Sequence, residues 1–164
     1  PSIASSRCTA AILSPGGGEW YVAPGYMLHG GYTYDQATYG NDTTDPALRN
    51  KQITNAPKSS AVLGFNVDQP IGTNTLTASL NARYQSRVNT GANLAPQKEQ
   101  GAYAVFNARI GMRFPNQLQV SLWANNITNR YRNLVIFDTT VQTGSFNGYP
   151  DLPRMWGLEV RKDF

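Results

Sequence analysis

Apolar and polar residues alternate with a period of two along much of the chain, and this is the period of a β-strand. Residues 73–88 and 102–114 show the alternation most clearly, with apolar or small residues on one face and polar or charged residues on the other. Shorter copies lie at residues 26–34, 61–68, 117–122 and 156–164. No convincing long helical pattern interrupts them. The pattern predicts an all-β chain with about six or seven strands.

The segments between the predicted strands alternate between short and long. The short ones contain the Pro and Gly residues that tight turns favour, and they are residues 23–25, 69–74 and 115–117. The long ones are polar and rich in Asn, Thr and Gly, and they are residues 40–58, 89–101 and 128–152. An antiparallel up-and-down meander places all the short turns at one end of the sheet and all the long loops at the other.

Strands of this kind, with short turns at one end and long loops at the other, are typical of a transmembrane β-barrel. In such a barrel the apolar face meets lipid and the polar face lines the lumen. The predicted lipid-facing residues are Leu76, Leu80, Phe106, Ile110 and Leu158. The predicted lumen-facing residues are Asn81, Arg83, Asn107, Arg109 and Arg113. A soluble β-domain with the same alternation is the alternative, and it would bury the apolar set inside the protein.

Composition argues against several classes of function. The 164 residues are enough for one domain, and only 15% of them are charged, against about 25% in soluble proteins. The net charge of +4 is spread thinly, so the clustered basic footprint of a nucleic-acid-binding protein is missing. Cys8 is the single cysteine and His29 the single histidine, which leaves no metal cluster and no catalytic set to propose. We therefore expect no enzyme, no cofactor and no metal site, and a hydrogen-bonded His29 on the polar face.

Two C-terminal stretches resemble the end of TonB-dependent outer-membrane receptors. The first is "VSLWANNITNRY" at residues 120–131, and the second is "GYPDLPRMWGLEVRKDF" at residues 148–164, with Pro153-Arg154 and a terminal Phe164. Two upstream elements are similar as well, "GGYTYDQATY" at residues 30–39 and "TNAPKSSAVLGFNV" at residues 54–67. The resemblance covers roughly residues 19–164, and the order and spacing of the motifs make it more specific than any one of them.

The resemblance implies a larger protein. Such receptors have a barrel of about 22 strands with a plugged lumen, so residues 19–164 are expected to be a C-terminal barrel section, with residues 1–18 unassigned. The implied function is import of a scarce solute, such as a ferric chelate, across the outer membrane of a Gram-negative bacterium. The implied partners are outer-membrane lipid, the plug domain of the same full-length chain, TonB, an unidentified ligand, and the barrel-assembly machinery, which would recognise Phe164.

Two other hypotheses remain open on the sequence alone. A small, complete outer-membrane barrel with a structural or adhesion role would need residues 1–22 to supply the missing strands. A soluble β-domain that binds a ligand or partner would need the apolar face to form a core.

Arginine on the predicted lipid face is expected to impair assembly of the barrel more than glutamine on the predicted lumen face. Ala108→Arg and Ile110→Arg place a charge in hydrocarbon near mid-strand, which costs about 2–4 kcal/mol. Asn107→Gln and Arg109→Gln keep polar groups where water or polar partners can satisfy them. The measurement is the amount of folded, heat-modifiable protein in outer membranes, and equal yields for all four variants would contradict the assignment of faces.

Overall fold

The computed structural model describes residues 12–163. Its strands are β1 (Ile12–Ala23), β2 (Tyr26–Asp35), β3 (Ser59–Ile71), β4 (Asn74–Gln85), β5 (Val88–Asn89), β6 (Glu99–Gln100), β7 (Tyr103–Arg113), β8 (Leu118–Asn125), β9 (Asn133–Asp138), β10 (Phe146–Pro150) and β11 (Met155–Lys162). Two short 3-10 helices lie in the loops, at Pro46–Leu48 and Pro96–Lys98. Within these residues, no helix has the length and apolarity needed to cross a membrane.

Seven strands form one antiparallel meander in the order β1-β2-β3-β4-β7-β8-β11. Turns of two to four residues connect them at one end, which we call the short-turn end. At the other, the long-loop end, the connections are residues 36–58, 86–102 and 126–154. The predicted all-β antiparallel meander with asymmetric connections is confirmed.

Side chains of the same character form rows across the whole sheet, because paired residues in adjacent strands point to the same side. One apolar row runs through Trp20, Leu28, Phe65, Leu80, Ala108, Ala124 and Trp156. The next runs through Tyr26, Val67, Ala78, Ile110, Leu122 and Leu158. We call this side the apolar face. A slip of one residue in any strand would move its apolar set to the other side.

The opposite side, which we call the polar face, carries the intervening residues. One of its rows runs through Glu19, His29, Gly64, Asn81 and Asn107. Another runs through Asn66, Ser79, Arg109 and Trp123. Amide, hydroxyl and charged groups therefore predominate on this side, although Tyr21, Met27, Val62 and Val105 also lie on it.

The described sheet is a single layer, and no second layer covers its apolar face. Leu80, Ile110 and Leu158 are 47%, 52% and 67% exposed. Val88 and Val105 are the buried hydrophobic residues in the described part of the chain. A soluble β-domain would bury the three leucine and isoleucine side chains, so the structure contradicts that alternative.

The sequence indicated only a short first strand ending at residues 19–22, whereas the structure has a longer one. Residues 1–18 carried no recognisable strand pattern, whereas β1 starts at Ile12 and includes Gly16, Gly17 and Gly18. Three consecutive glycines have no side chains to alternate, and this hid the strand. The long loops also contain two short hairpins that were not expected, β5–β6 and β9–β10. Phe164, the predicted assembly signal, lies outside the described residues.

Gly111 is a point of close approach between β7 and β8. A Cβ atom at this position would lie 2.7 Å from Ser121 Cβ and 2.8 Å from the Val120 carbonyl oxygen. Gly111→Ala is therefore expected to lower the free energy of unfolding by about 1–3 kcal/mol, the usual cost of overpacking. Gly101→Ala is the matched control, because nothing lies within 4 Å of an added Cβ there.

The measurement for this pair is urea unfolding of the complete barrel in detergent micelles. A Gly111→Ala barrel as stable as the Gly101→Ala barrel would contradict the observed β7–β8 packing.

Candidate functional site

The polar face of β4, β7, β8 and β11 forms a shallow cleft of about 330 Å³. Its lining includes Asn81, Asn107, Arg109, Trp123 and Glu159. Antiparallel pairing places Asn81 directly opposite Asn107, and Arg109 opposite Trp123. The cleft therefore offers amide, guanidinium, carboxylate and aromatic groups on rigid strands.

Arg109 is the best-connected residue of this cleft. Its guanidinium forms an ion pair with Glu159 at 2.6 Å and donates two hydrogen bonds to Ser121 Oγ, at 3.1 and 2.9 Å. Ser121 is 2% exposed, so these bonds satisfy a buried hydroxyl. Because the Arg109 and Glu159 side chains are 41% and 47% exposed, their ion pair is worth about 0–1 kcal/mol.

Towards the short-turn end a second cleft of about 280 Å³ continues the polar face. Arg113 and Asp68 face each other there at 3.9 Å. His29 lies further along the face, where its Nδ1 hydrogen bonds with the Asn66 side-chain amide at 3.3 Å and its ring occupies the space above Gly64. The expectation of a hydrogen-bonded His29 on the polar face is confirmed.

The residues that the sequence assigned to the two faces lie on the expected sides of the sheet, but the predicted set did not include Ser79, Trp123, Asn125 and Glu159 of the cleft. Asn81, Arg83, Asn107, Arg109 and Arg113 all lie on the polar face, and Leu76, Leu80, Phe106, Ile110 and Leu158 all lie on the apolar face. Trp123 was not singled out, because a tryptophan on a polar face breaks the hydrophobic pattern. Its ring lies against Gly157, where an added Cβ would be 2.7 Å away. Trp123 is two residues from Ser121 in the same strand, and this spacing was the signal that could have assigned it to the polar face.

At the long-loop end, hydrogen bonds join the three long loops into one layer. Residues 36–58 contact residues 86–102 through Asn55 N–H, which donates to Asn89 O at 3.0 Å. Residues 86–102 contact residues 126–154 through Asn133 N–H, which donates to Gln100 Oε1 at 2.8 Å. A further bond runs from Ile136 N–H to Thr90 Oγ1 at 3.0 Å.

Lys98 is a buried cation within this loop layer. Its side chain is 5% exposed, and its Nζ donates to Asp138 Oδ2 at 2.5 Å and to Asn93 Oδ1 at 3.0 Å. The ammonium also lies 6.0 Å from the centre of the Phe146 ring. Because Asp138 ends β9 and Phe146 begins β10, Lys98 fixes the β9–β10 hairpin to the neighbouring loop.

Asn126 explains part of the "NNITNRY" motif. It is 7% exposed and adopts a left-handed backbone conformation with φ 50°, which asparagine tolerates better than most residues. Its N–H donates to Asn107 Oδ1, its Nδ2 donates to the carbonyl oxygens of Arg130 and Leu152, and its Oδ1 accepts from Arg130 N–H. This one side chain connects the end of β8 to the segment that leads into β11.

Arg132 and Asp151 form a second connection in the same loop. The Arg132 guanidinium donates to Asp151 Oδ2 and lies 4.6 Å from the centre of the Tyr103 ring. Burial acts to raise the pKa of Asp151, but hydrogen bonds from Leu152 N–H and Arg132, together with the charge of Arg132, lower it below its usual value. The carboxylate thus stays ionised to a lower pH than an ordinary aspartate, which preserves the ion pair.

A third cavity lies under this layer, where β4 ends and β7 begins. We call it the loop-end pocket; its volume is about 200 Å³. Its lining includes Arg83, Gln85, Gln100, Tyr103, Arg132 and Asn133. Of the predicted lumen-facing residues, Arg83 is therefore at a different site from Asn81, Asn107 and Arg109.

Comparison with known proteins gives one family and several similar folds. The family described as "TonB dependent receptor-like, beta-barrel" matches residues 10–127. No curated protein sequence matches the chain.

Among solved structures, the ferric yersiniabactin uptake receptor FyuA from Yersinia pestis is similar with a TM-score of 0.79 and 17% identity, over 96% of this chain and 24% of that one. The siderophore receptor PiuA from Acinetobacter baumannii has a TM-score of 0.65 and 16% identity, over 87% and 20%. The ferric preacinetobactin receptor BauA from the same organism has a TM-score of 0.63 and 21% identity, over 87% and 20%. The chain spans a quarter or less of the length of these receptors.

An open antiparallel meander with one apolar and one polar face, which aligns with one stretch of much larger barrels, is a section of a β-barrel wall. The family match covers most of the chain, and the chain belongs to the TonB-dependent receptor family as part of its β-barrel. The resemblance to that family is thereby confirmed, and the matched residues 10–127 include the upstream elements at residues 30–39 and 54–67. Barrels of this family reside in the outer membrane of Gram-negative bacteria, and its members are transporters rather than enzymes.

Removal of the carboxylate from the Lys98–Asp138 pair is expected to loosen the β9–β10 hairpin. Asp138→Asn leaves the buried ammonium without its counter-charge, so amide hydrogens of residues 133–150 should exchange about tenfold faster or more. Lys98→Met removes the charge but keeps most of the buried stem, so its effect should be smaller. The measurement is hydrogen exchange of the full-length receptor in detergent micelles.

Glu99→Gln is the control for this experiment. Glu99 pairs with Arg87 at 3.4 Å, but both side chains are exposed, at 43% and 70%, and such surface pairs contribute little. Exchange in the hairpin should stay at the wild-type rate. Wild-type exchange in Asp138→Asn would show that Lys98 does not hold the hairpin.

Proposed function

We propose that the chain is a section of the barrel wall of an outer-membrane receptor that imports a scarce solute, such as a ferric chelate, with energy supplied through TonB. Membership of the TonB-dependent receptor family supports transport as the activity. The names of the three similar structures, receptors for ferric yersiniabactin, a siderophore and ferric preacinetobactin, support a ferric chelate as the solute class.

The observation that carries the proposal is the uncovered apolar face. Its rows are apolar across all seven strands, and Leu80, Ile110 and Leu158 are about half exposed or more. Contact with outer-membrane lipid is the arrangement that gives these side chains an apolar environment, because the described residues form no second layer over them. Leu76 and Phe106 share this face and the same proposed role.

The polar face is proposed to line the lumen. There Asn81, Asn107, Arg109 and Arg113 would contact the plug domain of the full-length chain or water. The arginines Arg109 and Arg113 are already paired with Glu159 and Asp68, so this part of the wall is close to neutral. A neutral, hydrogen-bonding wall suits a plug that has to shift when TonB pulls on it, because no strong ion pair has to break.

The long-loop end is proposed to face the cell exterior, where the joined loops would receive the ligand. Residues 19–164 remain our proposed barrel section, and β1 supports its extension to Ile12. Recognition of Phe164 by the barrel-assembly machinery is likewise proposed, on the strength of the family resemblance of the C-terminal motif.

The alternative of a small, complete barrel would need the sheet to close. In the described residues, β1 and β11 are the two edges of the sheet and do not pair with each other. No observation favours a structural or adhesion role over transport.

Iron uptake by the full-length receptor tests the proposal. In a Gram-negative host that lacks its own ferric-chelate receptors, the receptor should restore uptake of radioactive iron from at least one member of a panel of ferric chelates. Deletion of tonB from that host should abolish the uptake. Uptake that persists without TonB, or no uptake from any chelate of the panel, would contradict the proposal.

A further inference from the structure

We propose that the loop-end pocket binds an anionic oxygen group, a carboxylate or a phosphate, of the imported ligand, and that Arg83 is the residue that holds it. This inference rests on the proposed function, since it assumes that a small molecule enters from the long-loop end. It concerns a part of the polar face that is distinct from the cleft around Arg109.

The charges of the polar face single out Arg83. The strands of the main sheet carry four arginines on this face, Arg83, Arg109, Arg113 and Arg161. Three of them have carboxylate partners, which are Glu159 for Arg109, Asp68 for Arg113 and Asp163 for Arg161. Among the described residues Arg83 has no acidic partner, so its positive charge is not offset by the wall around it.

The lining of the loop-end pocket matches an anion. Arg83 and Arg132 contribute guanidinium groups, and the remaining polar groups are amides and hydroxyls, those of Asn55, Gln85, Thr90, Gln100, Tyr103 and Asn133. The described residues that line the pocket include no Asp and no Glu. Since Arg132 is already paired with Asp151, Arg83 supplies the uncompensated charge.

The contacts of the lining hold its donors in place. Tyr103 O–H donates to Gln85 Oε1 at 3.0 Å, and Gln100 Oε1 accepts from Asn133 N–H at 2.8 Å. Stacking of Arg132 on the Tyr103 ring fixes one wall of the pocket. Because these groups are positioned before any ligand arrives, binding costs little reorganisation.

The size of the pocket indicates a subsite rather than a whole ligand site. Its volume of about 200 Å³ is below the roughly 300–1,000 Å³ of typical small-molecule pockets. Arg83 also borders a neighbouring cleft of about 400 Å³, where Gly17 and Gly31 leave space on the polar face. The anionic group would occupy the pocket while the rest of the ligand extends over this cleft.

The chemistry of arginine fits this role. A guanidinium group presents a planar fork of N–H donors that can bind a carboxylate or a phosphate through two parallel hydrogen bonds. Lysine would keep the charge at this position but lose the fork, so the two side chains can be distinguished by experiment.

Binding of two simple anions to the full-length receptor tests the inference. The probes are citrate, which carries carboxylates, and inorganic phosphate, each titrated calorimetrically into the receptor in detergent micelles. Arg83→Gln should raise the Kd of at least one probe about tenfold or more. Arg83→Lys should recover part of the loss, and Arg161→Gln, the same change on the same face near the short-turn end, should leave the Kd unchanged.

Two results would overturn the inference. One is a Kd that is equal in the wild type and in Arg83→Gln, and the other is no binding of either probe to the wild type. If the equal Kd is accompanied by a lowered unfolding temperature of Arg83→Gln, then Arg83 instead neutralises a carboxylate elsewhere in the receptor, such as in the plug. TonB-dependent iron uptake by the wild type is measured separately, so a failure of the proposed function is distinguishable from a failure of this site.

Discussion

The strand register is the constraint on which the rest of the structure depends. Successive side chains of a β-strand point to opposite sides of the sheet. A row of apolar residues across seven strands therefore requires each strand to pair with the next one in the correct register. Leu80 opposite Ala108, and Ile110 opposite Leu122, are the residues that show this most clearly. The same register brings Asn81 to Asn107 and Arg109 to Ser121, Trp123 and Glu159, so the geometry of the polar cleft follows from the requirement on the other face.

The long loops depend on the strand register as well. Strands fix where each loop begins and ends, and a few polar contacts then hold the loops against one another: Lys98 with Asp138, Arg132 with Asp151, and Asn126 with the backbone on either side of it. Each contact satisfies a buried or half-buried polar group that would otherwise destabilise the fold. The loop-end pocket lies between this layer and the strand ends, which is why its donors come from both.

The sequence was sufficient to predict what depends on periodicity. The two-residue period and the turn residues account for the meander and for the asymmetry of its connections. They also account for the separation of the apolar set, such as Leu76 and Ile110, from the polar set, such as Asn81 and Arg113. It was not sufficient where the signal is absent or long-range. Three glycines concealed the start of β1, Trp123 broke the hydrophobic pattern, and the contact of Lys98 with Asp138 joins residues 40 positions apart in the chain.

Spin labelling along β7 tests the central claim, that the apolar face meets lipid, most directly. Single cysteines from position 104 to position 112 would be labelled in the full-length receptor, with Cys8 replaced by serine, after reconstitution into bilayers. Collision of each label with oxygen, which dissolves in lipid, and with a water-soluble nickel chelate would then be measured. The account predicts that the oxygen preference rises at positions 106, 108 and 110 and falls at positions 107 and 109. The opposite alternation, or no alternation, would contradict it.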